Sequence, residues 1–277
     1  MIVVTRLMPV DWARALGRAV GAGLYYLTGR MRRVVARQSV QSTGELISEM
    51  GRVWTQPWAR TGALLSADGL GCVKEPLASG QGSIVLGPHL GHWELLGMHL
   101  ATLGSLLALY EPIPLKKLDQ LMHCGRQCTG GKLVSTAPSL IAESVRSVRA
   151  GGITAILPDQ VPNGENAGIK ALFFGVDCLT AAHASDLIKK SGAAPVMGID
   201  QQAEKGFRAA YRPAEPGVQS DDTLEALSAI NLGVEKLIGG NQRQYQWQCK
   251  HFRCRPKGLV DHYDWPAMLL LDEAGLN

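Results

Sequence analysis

Several things are missing from this chain, and each shortage removes a class of function. There is no G-x-x-x-x-G-K-[ST] segment; "GRQCTGGKL" carries Gly130 and Lys132 but lacks the ending that cradles nucleotide phosphates. No G-x-S-x-G nucleophile elbow occurs, so serine-hydrolase chemistry loses its anchor. The six cysteines form no CxxC pair. "HCGRQC" (His123, Cys124, Cys128) and "CKHFRC" (Cys249, His251, Cys254) do not have zinc spacing, so reduced thiols and no metal are expected. Within the first 40 residues the longest charge-free run is 19–29, too short for the ~20 residues a spanning helix needs. Arginines interrupt the apolar start and no cleavage motif follows, which argues against a signal peptide. No internal repeat and no Pro/Ser linker divides the chain.

What is present describes a foldable globular protein: 277 residues, 46% hydrophobic and 19% charged. Its 32 glycines are scattered through apolar sequence, which suits many tight turns. Charge is uneven. Residues 1–40 hold seven arginines against one acid, a net of +6, so the remaining 237 sum to −2 out of the chain's +4. A basic end on a nearly neutral body points to an anionic surface.

Within that end, residues 10–28 place Trp12, Leu16, Ala19, Val20, Gly23, Leu24 and Leu27 on one helical stripe with Arg14 and Arg18 opposite. Two readings stand. One is an ordinary helix packed on the core. The other is an amphipathic membrane-association helix, apolar face down and arginines near lipid phosphates, which the following "GRMRRVVAR" favours. The expected organisation is an N-terminal arm, 1–40, and one domain, 41–277.

Beyond a polar helical stretch (31–60), short apolar runs alternate with helical patterns. "SIVLG", "LLALY", "KLVS", "ITAIL" and "APVMGI" read as strands. "HWELLGMHLATLG", "PLKKLDQLMHCGRQ", "SLIAESVRSVRAG" and "TAAHASDLIKKSG" read as helices, followed by a charged helix over 222–239. That alternation predicts an α/β fold, its central sheet mostly parallel with helices on both faces. Ligands in such sheets collect at the carboxyl ends of strands.

"GPHLGHWELLG" (87–97) follows the first of these strands and holds His89 and His92; with His99 just beyond it, three histidines fall within eleven positions of sequence. His89 precedes Glu94 by five residues, about 140° apart on a continuous helix, so the two meet only if His89 lies in a turn ahead of the helix. Pro88 and Gly91 make that turn plausible. The carboxylate would then fix one imidazole nitrogen and leave the other free as a base, with the nucleophile supplied by a substrate hydroxyl. On spacing alone such a pair is more often structural. His92 and His99 have no partner at a useful spacing and read as surface or core residues.

The rest of the chain raises the standing of His89. From "RVVARQSV" through "PHLGHWE", "GRQCTGGKL", "LPDQ", "LFFG" and "SGAAPV" to "QYQWQCKHFRCRP", the sequence resembles the bacterial lipid A late acyltransferases, within the wider H-x4-D/E acyltransferase group. The resemblance implies that His89 and Glu94 are the catalytic pair, and that Arg126 and Asp159 belong to the site. It further implies an enzyme on the cytoplasmic face of the bacterial inner membrane. That enzyme moves a fatty acyl chain from acyl carrier protein to a hydroxyl of a lipid A precursor, and the thioester requires no cofactor.

Beside that expectation, Arg126 is read as a phosphate or Glu94 partner, with an Arg126–Asp159 ion pair near His89. Backbone amides after His89 are one source of oxyanion donors. Phe173 and Phe174 wall an acyl tunnel or are simply core. Rival readings are an acyltransferase for another glycolipid or a lysophospholipid, and a non-catalytic protein bound to anionic membranes. The tail "QYQWQCKHFRCR" mixes bases and aromatics without a nucleic-acid motif, so no nucleic acid is expected as partner.

Overall fold

The computed structural model describes residue 5 and residues 8–27, 37–135, 138–162, 168–249 and 251–253. The basic cluster at 29–36 and the end of the tail from 254 lie outside them.

Seven strands form one sheet: β1 (Leu65–Asp68), β2 (Ser83–Leu86), β3 (Leu106–Tyr110), β4 (Lys132–Ser135), β5 (Ile153–Ile156), β8 (Ala194–Gln202) and β9 (Phe207–Pro213). Their order is β1-β9-β8-β2-β5-β3-β4, and every neighbouring pair is parallel except β8–β9. The α/β architecture with a mostly parallel sheet is therefore as expected. β6 (Ile169–Phe173) and β7 (Val176–Thr180) form a separate antiparallel hairpin.

β2 is central, and its residues are fully buried because both of its faces are covered. Ile84 and Leu86 join one core with Ala184, Leu187 and Ile188 of α8 (His183–Ser191) and Leu227, Ile230 and Val234 of α9 (Thr223–Gly239). Val85 joins the other, with Val73 of α4 (Gly71–Ala78) and Leu96 and Leu100 of α5 (Trp93–Leu103). Removing each such side chain from water stabilises the fold by about 1.5–3 kcal/mol, which is why "SIVL" reads as an uninterrupted apolar run. α6 (Lys116–Gln127) and α7 (Pro138–Arg149) complete the alternation.

Two further helices precede the sheet's main body, α1 (Val10–Leu27) and α2 (Arg37–Thr55), with a short α3 (Trp58–Gly62) after them. Residue 40, where the sequence was divided, falls inside α2. α1 packs against α2 through its small face, Ala13, Gly17 and Gly21. A Cβ on Gly17 would stand 2.3 Å from the Gly44 carbonyl oxygen, so the two backbones touch directly.

One expectation about α1 is corrected. Arg14 is buried and paired with Glu49, and it donates to the Ala203 and Gly206 carbonyls at 2.7 and 2.8 Å. Arg18 pairs with Glu45 at 2.6 Å. Both arginines therefore serve protein carboxylates of α2 rather than lipid phosphates. The stripe that faces outward is the apolar one, with Trp12 71% and Leu27 84% exposed. Among the described residues no helix is long and apolar enough to cross a membrane.

Candidate active site

β2 and β5 are parallel neighbours in register, Leu86 beside Ile156. His89 lies three residues beyond Leu86 and Asp159 three beyond Ile156, so equal offsets from paired strand ends bring them together. His89 Nδ1 is 2.9 Å from Asp159 Oδ1, and the His89 backbone N–H donates to Oδ2 at 2.8 Å. The Asp159 side chain is 1% exposed and that of His89 17%, which leaves Nε2 as the nitrogen without a partner among the described residues.

The turn carrying His89 is pinned along its length. The Gln246 N–H donates to the His89 carbonyl at 2.9 Å, Gly91 donates to Gln244 at 3.0 Å and His92 to Asp200 at 2.5 Å. Gly91 has φ of 63°, and a Cβ there would meet the Asp200 carbonyl oxygen at 2.1 Å. Only glycine accepts both conditions. His92 then caps α5, its Nδ1 accepting the Leu95 N–H at 3.3 Å. The amides of Leu90, Gly91 and His92 are thus already bonded within the protein, which removes them as oxyanion donors.

Glu94 occupies the first turn of α5, where its carboxylate is held by α6 and α2. Arg126 forks onto it, Nε to Oε2 at 2.6 Å and Nη2 to Oε1, and the Trp54 indole N–H donates to Oε2 at 3.2 Å. One expected partnership is corrected: Asp159, not Glu94, takes the imidazole. Of the two carboxylates offered to Arg126, Glu94 holds the guanidinium as one reading had it, and the Arg126–Asp159 ion pair does not form. Helix geometry is the reason: Glu94 turns toward α6 and α2, while the Pro88–His92 turn aims His89 across the sheet at β5.

Electrostatics follow the pairing. Burial disfavours a charged imidazole, but the Asp159 carboxylate beside it, helped by Glu94, outweighs burial and lifts His89 above its ordinary value. For Asp159 burial pushes upward, yet His89 and His251 hold its carboxyl below the usual range. For His92 burial outweighs the upward pull of Glu94 and pushes it down to about 4.

A cavity of about 550 Å³ reaches Gly87 and Gln160, near His89 and Asp159 in the chain, though neither His89 nor Asp159 is itself among its walls. Leu96, Met98, Ala108, Met122, Leu133 and Ile156 supply apolar wall, and Glu94 and Arg126 supply its polar edge. Trp93 also lines it and meets the His89 ring edge-on, centroids 5.4 Å apart. Phe173 and Phe174 are not among its walls. Phe173 is buried in the main core, stacked on His251 at 4.7 Å. Phe174, at the hairpin tip with φ of 48°, turns outward and is 45% exposed. His99 is a core residue, bonded to the Tyr211 hydroxyl at 2.9 Å.

Sequence reasoning missed the layer behind Asp159. His251 Nε2 stands 4.0 Å from Oδ2. The buried Tyr245 hydroxyl also faces Asp159, and burial followed by that charge pushes it far up. Among the described residues no group of three or more His, Cys, Asp and Glu side chains is arranged to hold a metal ion.

The family described as bacterial lipid A biosynthesis acyltransferase matches this chain over residues 27–254. A lipid A biosynthesis palmitoleoyltransferase of Escherichia coli K12 is 24% identical over 229 residues, 82% of this chain and 74% of that protein. A lipid A biosynthesis lauroyltransferase of the same strain is 22% identical over 84% of this chain and 76% of its own length. A lipid A biosynthesis acyltransferase of Haemophilus influenzae is 28% identical over 71% of this chain and 61% of that protein.

Proposed function

Because this chain belongs to the bacterial lipid A biosynthesis acyltransferase family, we propose that it moves a fatty acyl chain from acyl carrier protein onto a hydroxyl of a lipid A precursor, with His89 as general base. The observation that carries this reading is the buried Asp159 carboxylate on His89 Nδ1, which leaves Nε2 without a partner among the described residues while the ring rests against Trp93, a wall of the greasy cavity.

The acceptor hydroxyl gives its proton to His89 Nε2 as its oxygen attacks the thioester carbonyl. A C–O bond forms, the tetrahedral intermediate collapses, the C–S bond breaks, and the imidazolium returns the proton to the departing thiolate. Asp159 fixes the tautomer and stabilises the imidazolium in between. A base so placed contributes ~10²–10⁴-fold. Arg126 spends Nε and Nη2 on Glu94 and lines the cavity, so its Nη1 is the donor offered to the developing oxyanion or to an acceptor phosphate. Glu94 serves by holding that fork in place.

The outward apolar stripe of α1 supports attachment to an anionic inner-membrane surface at its cytoplasmic face, where a glycolipid acceptor resides. The decisive test is mass analysis of lipids from a strain lacking this protein. A missing secondary acyl chain on lipid A, restored by wild type and not by His89→Ala, is the expected result. An unchanged lipid A profile, with an altered phospholipid or other glycolipid, names a different acceptor. Full restoration by His89→Ala removes His89 from the chemistry.

A further inference from the structure

Asp159 stands between two imidazoles. His89 Nδ1 lies 2.9 Å from Oδ1, and His251 Nε2 lies 4.0 Å from Oδ2. His251 is buried, its Nε2 has no hydrogen-bond partner among the described residues, and its ring is stacked on Phe173 with planes 28° apart. Its segment also holds the His89 turn, through Gln246 N–H to the His89 carbonyl and a bridge between Leu90 and Tyr245. A buried ring nitrogen left unpaired is costly, and the nearby carboxylate offers the remedy. A ring shift of about 1 Å brings the pair to hydrogen-bond length.

Resting on the reading above, we propose that His251 is a positioning residue that acts through Asp159. As the Nε2–H tautomer it draws part of the charge on Oδ2 and thereby limits how tightly Asp159 holds a proton on His89. His251 keeps its own proton throughout. Its effect falls on the imidazolium of His89, which is less strongly stabilised and passes its proton to the leaving thiolate more readily. The groups around it fit this role. Burial holds His251 below its ordinary value, against the pull of Asp159, while His89 and Arg253 oppose a charge there. Tyr245 faces His251 with ring centroids 6.0 Å apart, Cys249 faces Asp159, and Glu94 acts on His89 from the far side.

The test compares wild type with His251→Phe, which keeps the stacked ring and loses the donor, and His251→Gln, which keeps an N–H. Two readouts are taken: the acid limb of kcat/KM against pH, and the His89 titration midpoint by NMR. Without the donor Asp159 binds the imidazolium harder, so in His251→Phe both midpoints move to higher pH, by roughly half a unit to one unit. In His251→Gln they stay near wild type.

Unmoved midpoints in all three proteins, with only a lower melting temperature, reduce His251 to packing and overturn the proposal. Equal shifts in Phe and Gln variants overturn it too, since the donor is then not the means. Should Phe prevent folding, His251→Met, also lacking a donor, takes its place. The NMR midpoint does not depend on turnover: a shifted midpoint in a chain that transfers no acyl group defeats the acyltransferase reading alone, and an unmoved one in an active enzyme defeats the coupling alone.

Discussion

Asp159 grips His89 at two points, ring nitrogen and backbone amide, so one carboxylate sets both the tautomer and the position of the turn. Neutralising it while keeping its shape separates that role from folding. Asp159→Asn is expected to lower kcat/KM by ~10²–10⁴-fold. The His89 midpoint falls with it, because the carboxylate that lifts it is gone. Kinetics with acyl carrier protein thioester and an NMR titration check both, and an asparagine variant near wild-type activity would sink the pairing.

Glu94 gives a contrasting result. Glu94→Gln breaks the fork to Arg126 and leaves His89–Asp159 in place. Stability should drop by roughly 2 kcal/mol, below the cost of breaking a fully buried pair because Arg126 reaches solvent. Activity falls through KM for the acceptor, while the acid limb moves far less than in Asp159→Asn. Denaturant melts and pH profiles of the two variants, side by side, decide the matter. A larger acid-limb shift in the glutamine variant would return the orienting role to Glu94.

Two histidines of the same turn, one half-buried and one buried, impose opposite pH dependence. His89 sits above its ordinary 6.5. Its contribution to stability is full below 6.5 and is lost as pH rises through the folded value. As a base it acts in its neutral form, so kcat/KM rises with pH along a limb placed above 6.5. His92 sits at about 4 instead of 6.5. Its contribution is full above 6.5 and is lost as pH falls toward 4, on the order of 3 kcal/mol in total. Urea melts at pH 7 and pH 4 should show that loss in wild type and a smaller one in His92→Asn, which retains a capping side chain. Equal losses would contradict it.

Trp12 and Leu27 project from α1 and touch little. Replacing both with serine is expected to cut binding to anionic vesicles more than tenfold, since each side chain loses about 1.5–3 kcal/mol of burial in lipid. The melting temperature should stay put. Cosedimentation unchanged by the double substitution would place membrane contact elsewhere on the protein.

Much of the sheet was legible because β2, β3, β4, β5 and β8 are short apolar runs between helical patterns. β1 and β9, "LSAD" and "FRAAYRP", escaped notice because they alternate in burial and carry polar residues. His89 was visible as a histidine directly after a central strand. Its partner was not, since the spacing of His89 and Glu94 along the chain draws the eye to a local pair, whereas the real contact spans seventy residues. The clue was the equal offset beyond "SIVL" and "ITAI", which means nothing until the two strands are known to be neighbours. The apolar stripe of α1 was also legible, but its arginines needed Glu45 and Glu49 of α2 to show which way they face.

That equal offset turns a chemical requirement into one of segment length. A single deletion or insertion between Leu86 and His89, or between Ile156 and Asp159, displaces one group by a residue's length, ~3.3 Å, and takes it out of hydrogen-bond reach of the other. Each junction is therefore fixed in count, and re-spacing either one parts the imidazole from its carboxylate.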